Sequence, residues 1–389
     1  MTSKDKHQKH ASLNKPAYGE FGRNELAFLG APCGVIQSLT KDLIHQLAAF
    51  YSAAYVDADH KEPEGSKEKG DQGENPPGMM LMTDKILFTR IDTHHSLSAF
   101  DKRALFNKKD LVLINGNHFK GKSQVLLIDP RKSLENKLDK LTDVKLIVLR
   151  NQGTHIPDFI KEAVPDWHQK PVLYLEETDK LSDWIKGWMD QNKPAIKGLV
   201  LAGGESKRMQ KDKGELAYHG KSQREHLLSL IQPFCSQAFL SCNAKQAIVL
   251  KDKFPLIEDA FFGLGPMGGI LSAFRTDPNA AWLTVACDLP YLSNKTLEHL
   301  LMHRNPSKVA TAFLDPKGKF PEPLVTLWEP RSYPVLLEYL SQGYSCPRKV
   351  LINSEVEILN APDKREFYNV NHPEEYEEVV RELNLNTER

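Results

Sequence analysis

The sequence predicts an α/β protein of two domains, each a mainly parallel sheet flanked by helices. Three observations carry this. Apolar runs of strand length alternate with helical patterns from residue 25 to the end, the order that builds βαβ units. The chain has 389 residues, enough for two or three domains of ordinary size. A short Pro/Gly stretch, "NKPAIKG" (Asn192–Gly198), interrupts the alternation near mid-chain. The expected organisation is a disordered polar tail over 1–24, an α/β domain over 25–193 and a second over 194–389.

Composition narrows the class. Hydrophobic residues make up 40% and charged residues 26%, so each half can build a core of its own. Lys+Arg and Asp+Glu are both 51, which gives no reason to expect nucleic acid as a partner. The five cysteines are odd in number and lack CxxC spacing, which argues against a disulfide framework or structural zinc. Reduced thiols suit a cytoplasmic protein. The first residues have no apolar core of a signal peptide, and no apolar run reaches membrane-spanning length.

In the first half, "ELAFLG" reads as a buried strand and "SLTKDLIHQLAAFYSAA" as a helix with Ser38 as its N-cap. "AYVDAD" reads as a second strand. His60–Gly78 is charged and rich in Gly and Pro, the composition of a mobile loop. The strands "KILFTRI", "LVLING", "QVLLID", "KLIVLR" and "VLYLEE" follow, with helices at "SLENKLDKL" and "KLSDWIKGWMDQN". The second half has strands at "LVLAGG", "AFLSCN", "WLTVACDLP", "VATAFLD" and "PLVTLWEP". Its helices are "SQREHLLSLIQPF", "MGGILSAFRT", "NKTLEHLLMHR" and "YPVLLEYLSQG". "FYNVNHPEEYEEVVREL" closes the chain as a strand and a capped helix.

The chemistry sits in the second half. "LVLAGGESKRMQKDKGEL" is a strand, a double glycine at Gly203 and Gly204, and then staggered cations. It lacks the GxxxxGK[ST] order of a Walker A loop. Glycines let backbone N–H groups approach an anion closely; Arg208 can grip phosphate oxygens in pairs, and Lys213 supplies a point charge. By composition alone a solvated basic loop is an equal reading. Asp288, in "ACDLPYL", ends an apolar strand, where α/β ligands bind, and a carboxylate beside phosphates suits Mg2+. Alone, it could simply cap the turn before Pro290. Asn243 ends another strand. Asp259 precedes "GLGPMGGI", a glycine-rich entry to a helix, and one carboxylate can accept both N–H groups on the pairing edge of guanine.

Taken in order, "LAGGESKRM", "DKGEL", "CN", "IED", "GPMGGI", "CDLPYL", "PEPLV" and "YNVNHPEE" resemble the molybdenum cofactor guanylyltransferases of MobA type. The resemblance covers Lys197 to the C-terminus. It implies a Rossmann-like nucleotidyltransferase fold that transfers GMP from GTP to the phosphate of molybdopterin, releasing pyrophosphate. It implies that Leu201, Ala202, Gly203 and Gly204 contact GTP, with Lys213, Asn243 and Asp259, and that Asp288 holds Mg2+. Asn369 and Asn371 would lie on the pterin side. Lys213, Arg208 and Asp288 would carry catalysis, and an already ionised phosphate nucleophile needs no general base. Gln210 departs from the family's usual glycine. The implied partners are GTP, molybdopterin, and molybdoenzymes or other cofactor-biosynthesis proteins, with no nucleic acid or membrane. CTP with the same pterin, an NTP with a sugar phosphate, or a non-catalytic pterin carrier are the alternatives.

In the first half, "LAFLGAPCGVIQSLTKDLI" has the outline of strand, turn and helix. Val35, Ile36 and Gln37 stand where a phosphate loop needs lysine and a hydroxyl residue. With "DLVLINGNHFKGKSQVLLID" it resembles a degenerate MobB-type adapter domain; an unrelated α/β domain is the other reading. Asp57, Asp59 and His60 are candidate metal ligands, or a strand-end turn.

Overall fold

The computed structural model describes residues 20–58, 80–93, 96–203 and 212–387. The chain divides into two compact units, Arg23–Trp188 and Met189–Arg389, the second also taking in residues 20–22.

The first unit runs β1 (Asn24–Leu29), α1 (Cys33–Leu47), β2 (Ala53–Val56), β3 (Met80–Asp84), β4 (Thr89–Thr93), α2 (Ala99–Phe106), β5 (Leu111–Asn115), β6 (Ser123–Ile128), β7 (Asp143–Leu149), α3 (Asp158–Ala163), β8 (Val172–Tyr174) and α4 (Thr178–Gln191). Six strands form one sheet in the order β2-β5-β1-β6-β7-β8, every neighbour parallel. All residues of β5 and β6 are buried, the consequence of helices on both faces of a parallel sheet. From β1 the chain goes first to the β2 edge, then crosses to β6 and out to β8. The carboxyl end of β1 is therefore the switch point, where such sheets bind ligands.

Three expectations fail here. The first helix starts at Cys33, because Pro32 occupies its N-cap position with φ −53°; Ser38 is interior. It also stops at Leu47, and Asp110 draws Ser52 out of helical geometry by accepting from its backbone N at 2.7 Å. "KILFTRI" is not one strand of the parallel sheet. Asp84 Oδ1 accepts from Ile86 N at 2.9 Å, and Lys85–Phe88 becomes the turn of a separate antiparallel hairpin, β3–β4. "SLENKLDKL" is a 3-10 segment, with Asn136 and Lys137 outside helical φ/ψ. The expected tail over 1–24 lies outside the described residues up to 19, and so do Asp59, His60 and the whole loop over 60–78.

The second unit contains β9 (Ile196–Leu201), α5 (Gln223–Ile231), β10 (Gln237–Cys242), α6 (Ala244–Leu250), β11 (Leu256–Glu258), α7 (Pro266–Thr276), β12 (Ala281–Ala286), α8 (Asn294–Met302), β13 (Ala310–Leu314), β14 (Pro321–Trp328), α9 (Ser332–Ser341), α10 (Pro347–Ile352), β15 (Val356–Leu359) and α11 (Pro373–Thr387). Its sheet has the order β11-β10-β9-β12-β14-β13-β15, and only β14 runs antiparallel to its neighbours. Leu227 and Ile231 of α5 and Leu297 and Leu300 of α8 cover one face. Met267, Ile270 and Phe274 of α7, with Leu336 of α9 and Val350 of α10, cover the other. Trp282 and Trp328 are paired across β12 and β14 and fully buried on that second face; each such side chain contributes about 2–3 kcal/mol by leaving water.

"FYNVN" does not form the expected strand. Val370 N donates once to Asp288 O at 2.9 Å, but β12 is already paired on both sides, so no sheet edge is open to it. Among the described residues, no helix is long and apolar enough to cross a membrane.

Candidate functional site

β10, β9 and β12 are adjacent and parallel, so their carboxyl ends open on one side of the second unit. The chain places Leu201, Ala202 and Gly203 at the end of β9, Asn243 just past β10 and Asp288 just past β12. The apolar runs stop at the same level on three neighbouring strands, at Gly203, Asn243 and Asp288. Register, rather than sequence distance, brings these positions together.

Lys213 opens a 3-10 turn whose N-cap, Asp212, accepts from Gly214 N at 2.9 Å. Its ammonium group donates to Asp288 Oδ2 at 3.2 Å and to Asn371 Oδ1 at 2.7 Å. Both charged side chains are largely enclosed, at 17% and 16% exposure. Asp288 Oδ1 is buried and has no hydrogen-bond partner among the described residues. Asn371 is set by the start of α11, where Glu375 Oε2 accepts from its backbone N at 2.6 Å and from His372 N at 3.0 Å. Asn369 contributes its carbonyl to Asn371 Nδ2 at 3.4 Å.

Gly203 has a different neighbour. A Cβ there would stand 2.9 Å from Asp259 Oδ2, so the absent side chain lets this carboxylate close on the strand end. Ser241 Oγ donates to Asp259 Oδ1 at 2.9 Å. Burial pushes the Asp259 carboxyl up from its ordinary value, against the lowering effect of the Ser241 bond. Asn243 acts as the N-cap of α6 in a capping box: its Oδ1 accepts from Gln246 N at 3.0 Å, and Gln246 Oε1 accepts from Asn243 N at 3.1 Å.

Some neighbours escaped the sequence reading. Gln246 Nε2 donates to Ala202 O at 3.1 Å and to Asp212 Oδ2 at 3.0 Å, tying β9 to the turn that carries Lys213. Arg224, almost fully buried on α5, pairs with Asp212 at 3.1 Å. The N-x-x-Q spacing of Asn243 and Gln246 is a capping-box signal and could have identified the first of these. Gly268 and Gly269 of "GPMGGI" serve packing: a Cβ on Gly268 would meet the Phe261 carbonyl at 2.4 Å and one on Gly269 the Ser241 hydroxyl at 2.7 Å, whereas Gly265 supplies a positive φ of 56° at the start of α7. Arg208 and Gly204 lie outside the described residues. Among the described residues no three His, Cys, Asp or Glu side chains gather as a metal cage.

Strand ends gathered at one edge of an α/β sheet, with a lysine, a carboxylate and a glycine-lined approach, are the layout of a nucleotidyltransferase. Residues 198–357 match the family described as "MobA-like NTP transferase domain". A "Probable molybdenum cofactor guanylyltransferase" of Carboxydothermus hydrogenoformans is 31% identical over 193 residues, 48% of this chain and 95% of that protein. A "Molybdenum cofactor biosynthesis bifunctional protein" of Synechocystis sp. is 31% identical over 201 residues, and this alignment spans 51% of the chain but only 58% of that protein. A "Molybdenum cofactor guanylyltransferase" of Pseudomonas putida is 29% identical over 184 residues, 46% of the chain and 95% of that protein. Among solved structures, molybdopterin-guanine dinucleotide biosynthesis protein A of Archaeoglobus fulgidus is 26% identical and matches 49% of this chain and 99% of its own, with a TM-score of 0.43. The chain belongs to the MobA-like NTP transferase family.

Proposed function

We propose that the chain transfers GMP from GTP to the phosphate of molybdopterin, giving the guanine dinucleotide form of the cofactor and pyrophosphate. The observation that carries this is the Lys213–Asp288–Asn371 contact at the carboxyl edge of the sheet, with Asp288 Oδ1 left without a partner. A buried carboxylate oxygen lacking a donor is costly unless a cation or donor meets it. A single protein carboxylate, supplemented by substrate phosphates and water, fits the way Mg2+ is usually held. Asp288 is the residue that would hold Mg2+, and the ion would supply neutralisation of charge on the phosphates.

The protein's own part is binding and orientation. Lys213, steered by Asp288 and Asn371, presents its ammonium group to the α- and β-phosphates. Leu201, Ala202 and Gly203 offer close backbone approach, and Arg208 adds a second cation. Asp259 Oδ2 accepts from the guanine edge, with Ser241 fixing the other oxygen. Asn369 and Asn371 bound the side from which the pterin phosphate arrives. That phosphate is ionised at neutral pH, so attack at the α-phosphorus needs no general base. Rate comes from alignment and charge neutralisation. In this reading the first unit is a MobB-like domain without its phosphate lysine.

The test measures pyrophosphate release with Mg2+ and each NTP, with and without molybdopterin. Release that requires both GTP and the pterin is the expected result. Release with CTP, or only with a sugar 1-phosphate, would replace the substrate pair; pterin binding without release would make the protein a carrier.

A further inference from the structure

A second cluster lies wholly within the first unit, around the switch point at the end of β1, and nucleotidyl transfer has no use for it. Cys33 is the first residue of α1 and is half-buried. Its Sγ stands 3.3 Å from His118 Nε2, 3.6 Å from Asn117 Nδ2 and 3.9 Å from Lys132 Nζ. The same imidazole nitrogen is 3.7 Å from Asp57 Oδ1, and Tyr55 donates to Asp57 Oδ2 at 2.7 Å. His118 and Asn117 follow β5, Asp57 follows β2 and Lys132 follows β6, so the ends of three strands gather around a thiol that itself follows β1.

The cluster also contains an unmet polar atom. Asn117 is 6% exposed, and Oδ1 of the amide that faces the sulfur has no partner. A buried polar atom of this kind is costly unless something meets it, which points to a ligand group at this place. Burial pushes Cys235 and Cys287 up to about 12 and Cys242 up to about 11, which leaves them protonated and inert. Cys346 is exposed and serves as an internal comparator.

We propose that Cys33 is the nucleophile of a thiol–disulfide exchange site that takes a low-molecular-weight disulfide. The N–H donors Asn117 and Lys132 converge on the sulfur itself, whereas acyl transfer would need donors aimed at an oxyanion beside it. In the step, His118 Nε2 takes the thiol proton and Cys33 Sγ attacks one sulfur of the disulfide. A new S–S bond forms, the old one breaks, and the departing thiolate takes the proton from the imidazolium. The products are the Cys33 mixed disulfide and one free thiol, with no outside oxidant. Asp57, beside Nε2, stabilises the imidazolium while it lasts.

The experiment treats the full-length, reduced protein with oxidised glutathione and follows the Cys33 and Cys346 peptides by mass spectrometry. Cys33 is expected to be modified at least about tenfold faster than Cys346, and His118→Asn should slow Cys33 about tenfold without changing Cys346. Lys132→Met should also slow Cys33, and it keeps the comparison available should His118→Asn fail to fold by circular dichroism. A Cys33 rate no greater than that of Cys346, or one unchanged in the folded variants, overturns the proposal.

Discussion

The two oxygens of Asp288 differ: Oδ2 receives Lys213, and Oδ1, without a partner among the described residues, is where the proposed function seats a cation. Asp288→Ala removes both functions, so pyrophosphate release should fall by about 10³-fold, the scale of losing one preorganised electrostatic group. Normal Mg2+-dependent turnover in that variant would return Asp288 to the role of turn cap. Gly203 makes a finer prediction. The Cβ of Gly203→Ala would stand 2.9 Å from Asp259 Oδ2, close enough to displace the carboxylate but not the backbone, whose nearest atom, Cys242 Cα, is 3.7 Å away. The variant should fold with less than about 1 kcal/mol lost. Its KM for GTP should rise roughly tenfold or more, because a small displacement of a positioning group is expensive in binding. An unchanged KM would mean that Asp259 does not read the nucleotide.

At the scale of elements, what could be read from the sequence follows physical rules. Central parallel strands were legible because burial on both faces makes them continuously apolar, and a strand end announces itself where the apolar run stops, as at Asn243 and Asp288. The site positions were therefore visible, while the contacts between them were not. Gln246 reaches Ala202 and Asp212 across 44 and 34 residues, and no local pattern encodes that. "KILFTRI" misled because one Asp84 side-chain bond turned an apolar run into a hairpin tip. A comparable side-chain clamp closes the ends of β6 and β7. Asp129 is bonded by Arg131, with Nη2 at 2.6 Å, and by Arg150 Nη1 at 3.1 Å. The Arg131 hydrogen bonds, opposed by burial, hold its carboxyl down to about 2. A depressed folded pKa stabilises above the unfolded value near 3.9 and loses that stabilisation as pH falls toward about 2. Asp129→Asn should thus cost about 2 kcal/mol at neutral pH in urea denaturation, with the difference closing in acid. A constant difference down to the lowest pH would assign the effect to packing instead.

For the molecule as a whole, every described candidate for nucleotidyl transfer, from Leu201 to Asn371, belongs to the second unit, and so do both faces of the core behind them. Hydrophobic burial is what makes a unit fold, and this one closes its seven-stranded sheet with its own helices. The prediction is that residues 192–389, expressed alone, fold cooperatively and release pyrophosphate from GTP with a kcat/KM within about threefold of the full chain, since a changed active-site contact would cost tenfold or more. The fragment lacks residue 20, whose backbone N donates to Asn279 Oδ1 at 2.9 Å, and residue 21, whose ring meets Tyr333 edge-on. With the backbone N of residue 21 also donating to Asn279 Oδ1, at 3.4 Å, these hydrogen bonds and the aromatic contact are together worth about 1–3 kcal/mol, so a slightly lowered Tm is expected with catalysis intact. A well-folded fragment that binds GTP but does not turn over would show that the first unit takes part in the transfer.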